Sequence, residues 1–313
     1  MSSKKSYTQN VVNLTIFAVP KAFHGLFAII QRNAIKSWTH IRPRPEIILL
    51  GDDSGTEETA RDLGTKFIPE IRRNEFGTPL LNDIFEKAEK AASNSILCYV
   101  NSDIILPTDF GEIVARITFK RFLIVGQRWN LEIKTELDFT DPDCEKKLND
   151  RRKAEGDLEP VSGVDYFIYR RGCINNMPPF ALGRTAWDNW LVFKARLSKI
   201  PVIDATQVLT VIHQKHDYGP PERQKMVLAG PERERNLELG GGYENMFTID
   251  DANYVLLPEG TLHRKTEHHR EPHLKRIRYS DSSIFHRVIQ KLLDPPSLWL
   301  SVRVRLKRFF VGC

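Results

Sequence analysis

The chain has 313 residues, with 46 Lys and Arg against 40 Asp and Glu and a hydrophobic fraction of 41%. That length can bury a substantial core in one large domain or two small ones, and no run is apolar enough for long enough to span a bilayer. The net charge of +6 is uneven: from Thr261 to Cys313 twelve Lys and Arg stand against four Asp and Glu, so the main body is close to neutral and the tail is basic. This argues against a nucleic-acid-binding core and for a tail that meets an anionic surface.

In chain order, residues 13–19 read as a first strand ending at Pro20, and Asn13 with Pro20 interrupts any signal-peptide pattern. Residues 27–38 have helical apolar spacing, and 46–50 form a short apolar strand that closes on Gly51-Asp52-Asp53-Ser54-Gly55. A helix over 57–63 and a strand over 66–69 follow. Over 80–92 the residues Leu80, Leu81, Ile84, Phe85, Ala88 and Ala91 repeat at spacings of three and four, which predicts a helix. Residues 95–100 are a continuous apolar strand that ends on Asn101-Ser102-Asp103. Alternating strands and helices of this kind predict an open, mostly parallel α/β sheet flanked by helices.

Beyond Leu106 the spacing predicts a helix over 109–118, a strand over 122–125 and an exposed charged loop with a short helix over 140–159. Strands within 161–169 and over 208–213 bracket a helix over 187–196. Residues 219–245 are rich in Gly, Pro and charge, and Gly240-Gly241-Gly242 reads as a hinge. The expected organisation is therefore a domain over 1–218, with halves over 12–106 and 107–218, and a connection and basic extension over 219–313. Cys98, Cys144, Cys173 and Cys313 form no C-x-x-C pair, which disfavours a disulfide framework and suits a reducing, cytoplasmic compartment.

Two strands thus end in acids, at Asp52/Asp53 and at Asp103. In an open parallel sheet the carboxyl ends of strands line one edge, where ligands bind. On an extended chain Asn101 and Asp103 face the same side, and oxygen ligands held together there suit a hard divalent cation on phosphates. An isolated Asn-x-Asp is more often a polar turn, so the surrounding motifs carry the weight. No G-x-G-x-x-G follows the first strand and no G-x-x-x-x-G-K-[ST] occurs, which disfavours dinucleotide and P-loop sites.

Taken in order, Pro20, Asp52-Asp53-Ser54, the stretch from Asn74 to Asn82 and Asn101-Ser102-Asp103 resemble the nucleotide-sugar glycosyltransferases of the GT-A fold, family-2-like, over roughly residues 12–217. The resemblance implies a GT-A type sheet with a nucleotide-sugar half and an acceptor half. It implies donor contacts from Pro20, Asp52, Asp53, Asn82, Asn101, Ser102, Asp103 and Lys215. Asn101-Ser102-Asp103 stands in the place of the family's DxD motif with Asn for its first acid, and Asp103 would hold Mn2+ or Mg2+ on the diphosphate. His216, or else His213, would supply a further ligand, and Lys215 would help neutralise the leaving diphosphate.

Asp188, in Trp187-Asp188-Asn189-Trp190, resembles the acceptor-side carboxylate that takes the proton from an acceptor hydroxyl. Asp165 competes for that role or binds the acceptor. Trp187 and Trp190 suit stacking on a sugar ring, or else pack in the core. The expected partners are a nucleoside-diphosphate sugar, UDP-sugar first, and a glycan, lipid-linked or small-molecule acceptor, with inversion and without nucleic acid. Over 284–313 apolar and basic residues interleave as in a helix that either lies on a membrane surface, at its inner face, or covers an apolar patch on the body. Two other readings keep the nucleotide fold: a sugar-1-phosphate nucleotidyltransferase, and a non-catalytic scaffold with a degenerate pocket.

Overall fold

A computed structural model describes residues 13–216, 229–266 and 270–278. The chain divides into two compact units, Met1–Glu267 and His268–Cys313. The second contributes a helical stretch over 271–278, and the amphipathic pattern over 284–313 lies outside the described residues.

The first unit is built on a nine-stranded sheet. Among its interior strands are β1 (Leu14–Ala18) and β4 (Ile96–Val100), each buried at every position. A strand needs an unbroken apolar run only when both of its faces are covered, which is why these two could be recognised from residue type. β2 (Glu46–Leu50) and β3 (Lys66–Ile68) extend the sheet in parallel from β1, and β4 pairs parallel on its other side. The carboxyl ends of β1, β2 and β4 therefore lie along one edge.

The helices α1 (Gly25–Thr39), α2 (Thr56–Asp62) and α3 (Leu81–Ala91) alternate with these strands. On α3 the residues Leu81, Ile84, Phe85 and Ala88 are buried, as the spacing predicts. Phe85 meets the sheet through Phe17, edge to face at 5.1 Å, and Tyr99, stacked at 5.5 Å. Aromatic pairs of this geometry add about 0.5–1.5 kcal/mol to the burial itself. Gly55 ends the Asp52-Asp53 turn at φ +85°, and a Cβ there would lie 2.8 Å from the Phe23 Cβ. Only glycine lets the loops after β1 and β2 close on each other.

Beyond β4 the sheet departs from simple parallel order. β9 (Tyr166–Arg170) runs antiparallel between β4 and β6 (Leu123–Val125), and β10 (Val202–Asp204) follows in parallel with β6. β12 (Tyr254–Leu256) and β13 (Leu262–Arg264) complete the edge. The sheet-bearing unit therefore continues well past residue 218, where the charge and glycine pattern places a boundary. Gly240-Gly241-Gly242 is a helix stop rather than a hinge. It terminates α7 (Pro231–Leu239), with the Gly242 N–H on the Leu237 carbonyl and the Gly241 N–H on the Glu238 carbonyl, both at 2.9 Å. This reciprocal pattern needs left-handed backbone, supplied by Gly241 at φ +80°.

A second sheet has the order β5 (Ile104–Ile105), β11 (Ile212–Gln214), β7 (Trp129–Leu131), β8 (Asp157–Leu158). Between β7 and β8 lies α5 (Cys144–Glu155), a full helix where a short one is expected. Only Cys144 and Leu148 are buried on it, so it carries almost no apolar spacing to read. Two further helices are α4 (Phe110–Ala115), after β5, and α6 (Trp187–Leu197), after β9.

Candidate functional site

The second sheet brings two histidines to the end of β4. β5 follows Asp103 directly and pairs antiparallel with β11, so His213 lies opposite Ile104. Gln214 locks that register. Its backbone N–H and its side-chain amide Nε2 both donate to the Asp103 carbonyl, at 3.2 and 3.1 Å. As a result His216 Nε2 lies 3.1 Å and His213 Nε2 3.7 Å from Asp103 Oδ2. The possible ligand atoms of Asp103, His213 and His216 all lie within 4.8 Å of one another.

Burial pulls the Asp103 carboxyl up, but the two facing imidazoles outweigh it and hold the group well below the usual carboxylate range. Its other oxygen, Oδ1, is buried with no hydrogen-bond partner. A buried carboxylate oxygen left unbonded is costly, and a cation would satisfy it. One carboxylate with imidazoles is a suitable donor set for a divalent metal. The residues present therefore fit such an ion.

Asn101 does not join this cluster. The chain turns at the end of β4, with the Ile104 N–H on the Asn101 carbonyl at 3.2 Å. Same-side placement of Asn101 and Asp103 holds for an extended strand and fails in a turn. The Asn101 amide is instead engaged on both ends, accepting from the Tyr99 hydroxyl at 3.0 Å and donating to Asp165. Asp165 is also paired with Arg128, which reaches Glu159 at 3.5 Å. Asp165 is thus held as a charged partner on two sides.

The other residues expected at a sugar donor lie on several elements. Pro20 is buried after β1, and the loop behind it is pinned by Gln31, which exchanges two hydrogen bonds with the Lys21 backbone at 2.7 and 2.8 Å. Ser102 Oγ donates to the same Gln31 at 3.1 Å, joining the ends of β1 and β4. Asp52 and Asp53 both accept from Arg73 Nη2 at 2.9 Å, and hydrogen bonding to Arg73 lowers the Asp52 carboxyl. Asn82, on the first turn of α3, has a buried Oδ1 with no hydrogen-bond partner. Lys215 turns away to an ion pair with Asp157 on β8.

Asp188 lies in the first turn of α6. Burial pushes its carboxyl up to about 6, against backbone hydrogen bonds and the charge of Arg128. Its Oδ1 is buried without a hydrogen-bond partner. Ala186, just before the helix, is held at φ +93°, a conformation costly for a residue with a Cβ. Tyr99 connects the two acids: burial raises its phenol, and the charges of both Asp103 and Asp188 raise it further. The flanking tryptophans belong to the core. Trp187 is 5% exposed and packs against Tyr99 and Phe167 at 5.4 Å, and Trp190 is 6% exposed and packs against Phe180 at 5.1 Å. Neither presents a ring face for stacking, because both are buried.

No family model matches the chain, and no curated protein matches it. Among solved structures it is similar to S. aureus TarS 1-349 in complex with UDP-GlcNAc, with a TM-score of 0.49 and 12% identity over 73% of this chain and 65% of that one. It is also similar to glucosyl-3-phosphoglycerate synthase from Mycobacterium tuberculosis in complex with Mg2+ and UDP, with a TM-score of 0.45 and 14% identity over 81% of this chain and 87% of that one. A third is the mannosyltransferase PcManGT from Pyrobaculum calidifontis in complex with GDP-Man and Mn2+, with a TM-score of 0.42 and 12% identity over 73% and 75%. The chain spans 65% of the length of the first of these structures.

Several residues that shape the site have no motif to announce them. Gln31, Arg73, Arg128 and Asn130 are single polar residues in unremarkable stretches. Glu232 on α7 is another: it is 4% exposed, accepts from Asn74 Nδ2 at 2.7 Å, and pairs with Arg184 at 2.6 Å. Asn236, one turn on, bonds the Ala181 N–H at 2.8 Å and its carbonyl at 3.0 Å. Together they clamp the 74–80 loop and the 181–186 loop that leads to Asp188. Glu232→Ala leaves the Arg184 charge and the Asn74 amide without their partner, so a loss of about 3 kcal/mol is expected. Urea unfolding of the two proteins measures it, and equal midpoints would refute the clamp.

Proposed function

We propose that the chain is a glycosyltransferase that uses a nucleoside-diphosphate sugar, UDP-sugar first, with a divalent cation, and transfers the sugar to an acceptor hydroxyl with inversion. The observation that carries this reading is the meeting of Asp103, His213 and His216 at the sheet edge with an unbonded, buried carboxylate oxygen. Asp103 with the histidines would hold Mn2+ or Mg2+. Bound there, the ion supplies charge neutralisation for a leaving diphosphate. Asp52 and Asp53 at the end of β2 suit the nucleoside, with Arg73 setting their positions. Asn82 offers its unbonded Oδ1 to a ligand hydroxyl or amide.

Asp188 is the proposed base. A carboxylate whose proton is held to about pH 6 is a stronger base than an ordinary one and is still ionised at neutral pH. Its Oδ1 accepts the proton of the acceptor hydroxyl as that oxygen bonds to the anomeric carbon and the bond to the diphosphate breaks. Asp165 is tied to Arg128 and Asn101, which suits a fixed contact with the acceptor better than proton transfer. Trp187 and Trp190 serve this reading by supporting Tyr99 and α6.

Thermal denaturation with UDP, Mn2+ and both together tests the donor side. A ligand at a hundred times its Kd stabilises by about 2.7 kcal/mol, and the pair is expected to act well beyond the sum of the two. Incubation with labelled UDP-sugars is expected to release UDP. Release of pyrophosphate from a nucleoside triphosphate with sugar 1-phosphate would replace this reading with nucleotidyl transfer.

A further inference from the structure

His213 and His216 are not equivalent, and the difference lies in a residue one strand away. The parallel pairing of β11 with β7 sets His213 opposite Asn130, and the antiparallel pairing of β7 with β8 sets Asn130 opposite Asp157. Asn130 is 8% exposed. Its Nδ2 donates to Asp157 Oδ2 at 3.0 Å and to Glu159 Oε2 at 2.7 Å. Two carboxylates accept only from the NH2 side of an amide, so the orientation of Asn130 is determined. Its Oδ1 then faces His213 Nδ1 at 3.0 Å and also accepts from Arg128 Nε at 3.2 Å.

An oxygen with no hydrogen can only accept, so His213 donates through Nδ1 and a neutral ring keeps its lone pair on Nε2. That lone pair faces Asp103 Oδ2 at 3.7 Å. Two acceptors opposed at this distance repel unless a proton or a cation lies between them. Outer partners that orient a ligating imidazole in this way also raise its affinity for metal.

We propose that Asn130 is a positioning residue: it fixes the His213 tautomer so that Nε2 joins His216 and Asp103 in a cation site of two imidazoles and one carboxylate, selective for first-row transition ions over Mg2+. Mg2+ keeps oxygen ligands and sheds water reluctantly. Imidazole suits the transition ions, with affinity rising from Mn2+ towards the later metals. The inference rests on the reading that this cluster holds a cation, and it narrows the choice of ion.

The full chain titrated with Mn2+ alone tests it by pulsed electron paramagnetic resonance. Nitrogen couplings from two imidazoles are expected, falling to one in His213→Ala. Asn130→Leu removes the acceptor while keeping the bulk, and is expected to weaken Mn2+ binding about 10–100-fold. Mg2+ is expected to displace Mn2+ only at about tenfold excess or more. A single imidazole coupling in the unaltered protein, Mn2+ binding unchanged in Asn130→Leu, or displacement by equal Mg2+ would each overturn the proposal. Should Asn130→Leu fail to fold, the spectrum of the unaltered protein and the Mg2+ competition still decide. Two couplings without sugar transfer would sink the glycosyltransferase reading alone, and Mn2+-dependent transfer with one coupling would sink the tautomer assignment alone.

Discussion

Asp188→Asn is expected to slow transfer severely and, above pH 6, to make the protein more stable. The two effects have one cause. Burial raises the Asp188 carboxyl to about 6 from an ordinary 3.8, so the folded chain holds this proton over a pH range in which the unfolded chain has lost it. Folding is therefore favoured by this group at low pH, and that advantage is lost as pH rises from about 4 to about 6. Above that window the folded protein carries a poorly solvated charge, a cost on the order of 3 kcal/mol. Asparagine keeps the shape and never ionises. Its stabilising effect should be absent near pH 4 and complete by pH 7.5, read from melting temperatures of both proteins at each pH. In the same variant the rate of transfer should fall by about 10²–10⁴. The acid limb of kcat/KM in the unaltered protein, with an apparent pKa near 6, should vanish from the residual activity. A variant that is stabilised but fully active would remove Asp188 from the chemistry. One that is inactive and less stable would make it a structural residue.

Asp103→Ala is expected to have the larger effect on the donor side. The backbone around it is held independently of the carboxylate, since Gln214 bonds the Asp103 carbonyl twice. Truncation should therefore leave the strand register intact and remove the charge that faces His213 and His216. Binding of Mn2+, followed by loss of its free resonance signal, should drop below detection at millimolar metal. Transfer should fall by about 10³, because stabilisation of the leaving diphosphate is lost with the ion. The joint effect of UDP and Mn2+ on melting temperature should reduce to that of UDP alone. Persistence of that joint effect would move the metal away from the end of β4.

The two predictions depend on sequence information to different degrees. β1, β2 and β4 could be read from residue type because strands covered on both faces must be apolar throughout. α3 was legible because burial on one face imposes its three-and-four spacing. Asp103 and Asp188 stood out for a related reason, as acids placed where an apolar run stops and a helix begins. By contrast, α5 buries only Cys144 and Leu148, and β12 and β13 are three residues each. Such elements leave too few apolar positions to show a period, so the edge of the sheet and the true end of the first unit were hidden. The tryptophans beside Asp188 misled because a ring that would suit a sugar suits a core equally well.

The α/β class, the parallel part of the sheet and the acidic strand ends are legible in residue order, because each follows from burial over a few adjacent residues. Only the tertiary structure decided which polar side chains meet. Asp103 and His216 are 113 positions apart, and they are joined by a second sheet whose strands are two or three residues long. The turn at Asn101 sends its amide to Asp165 and leaves Asp103 to the histidines. Those partnerships depend on register and on hydrogen bonds between distant strands, which no local spacing encodes.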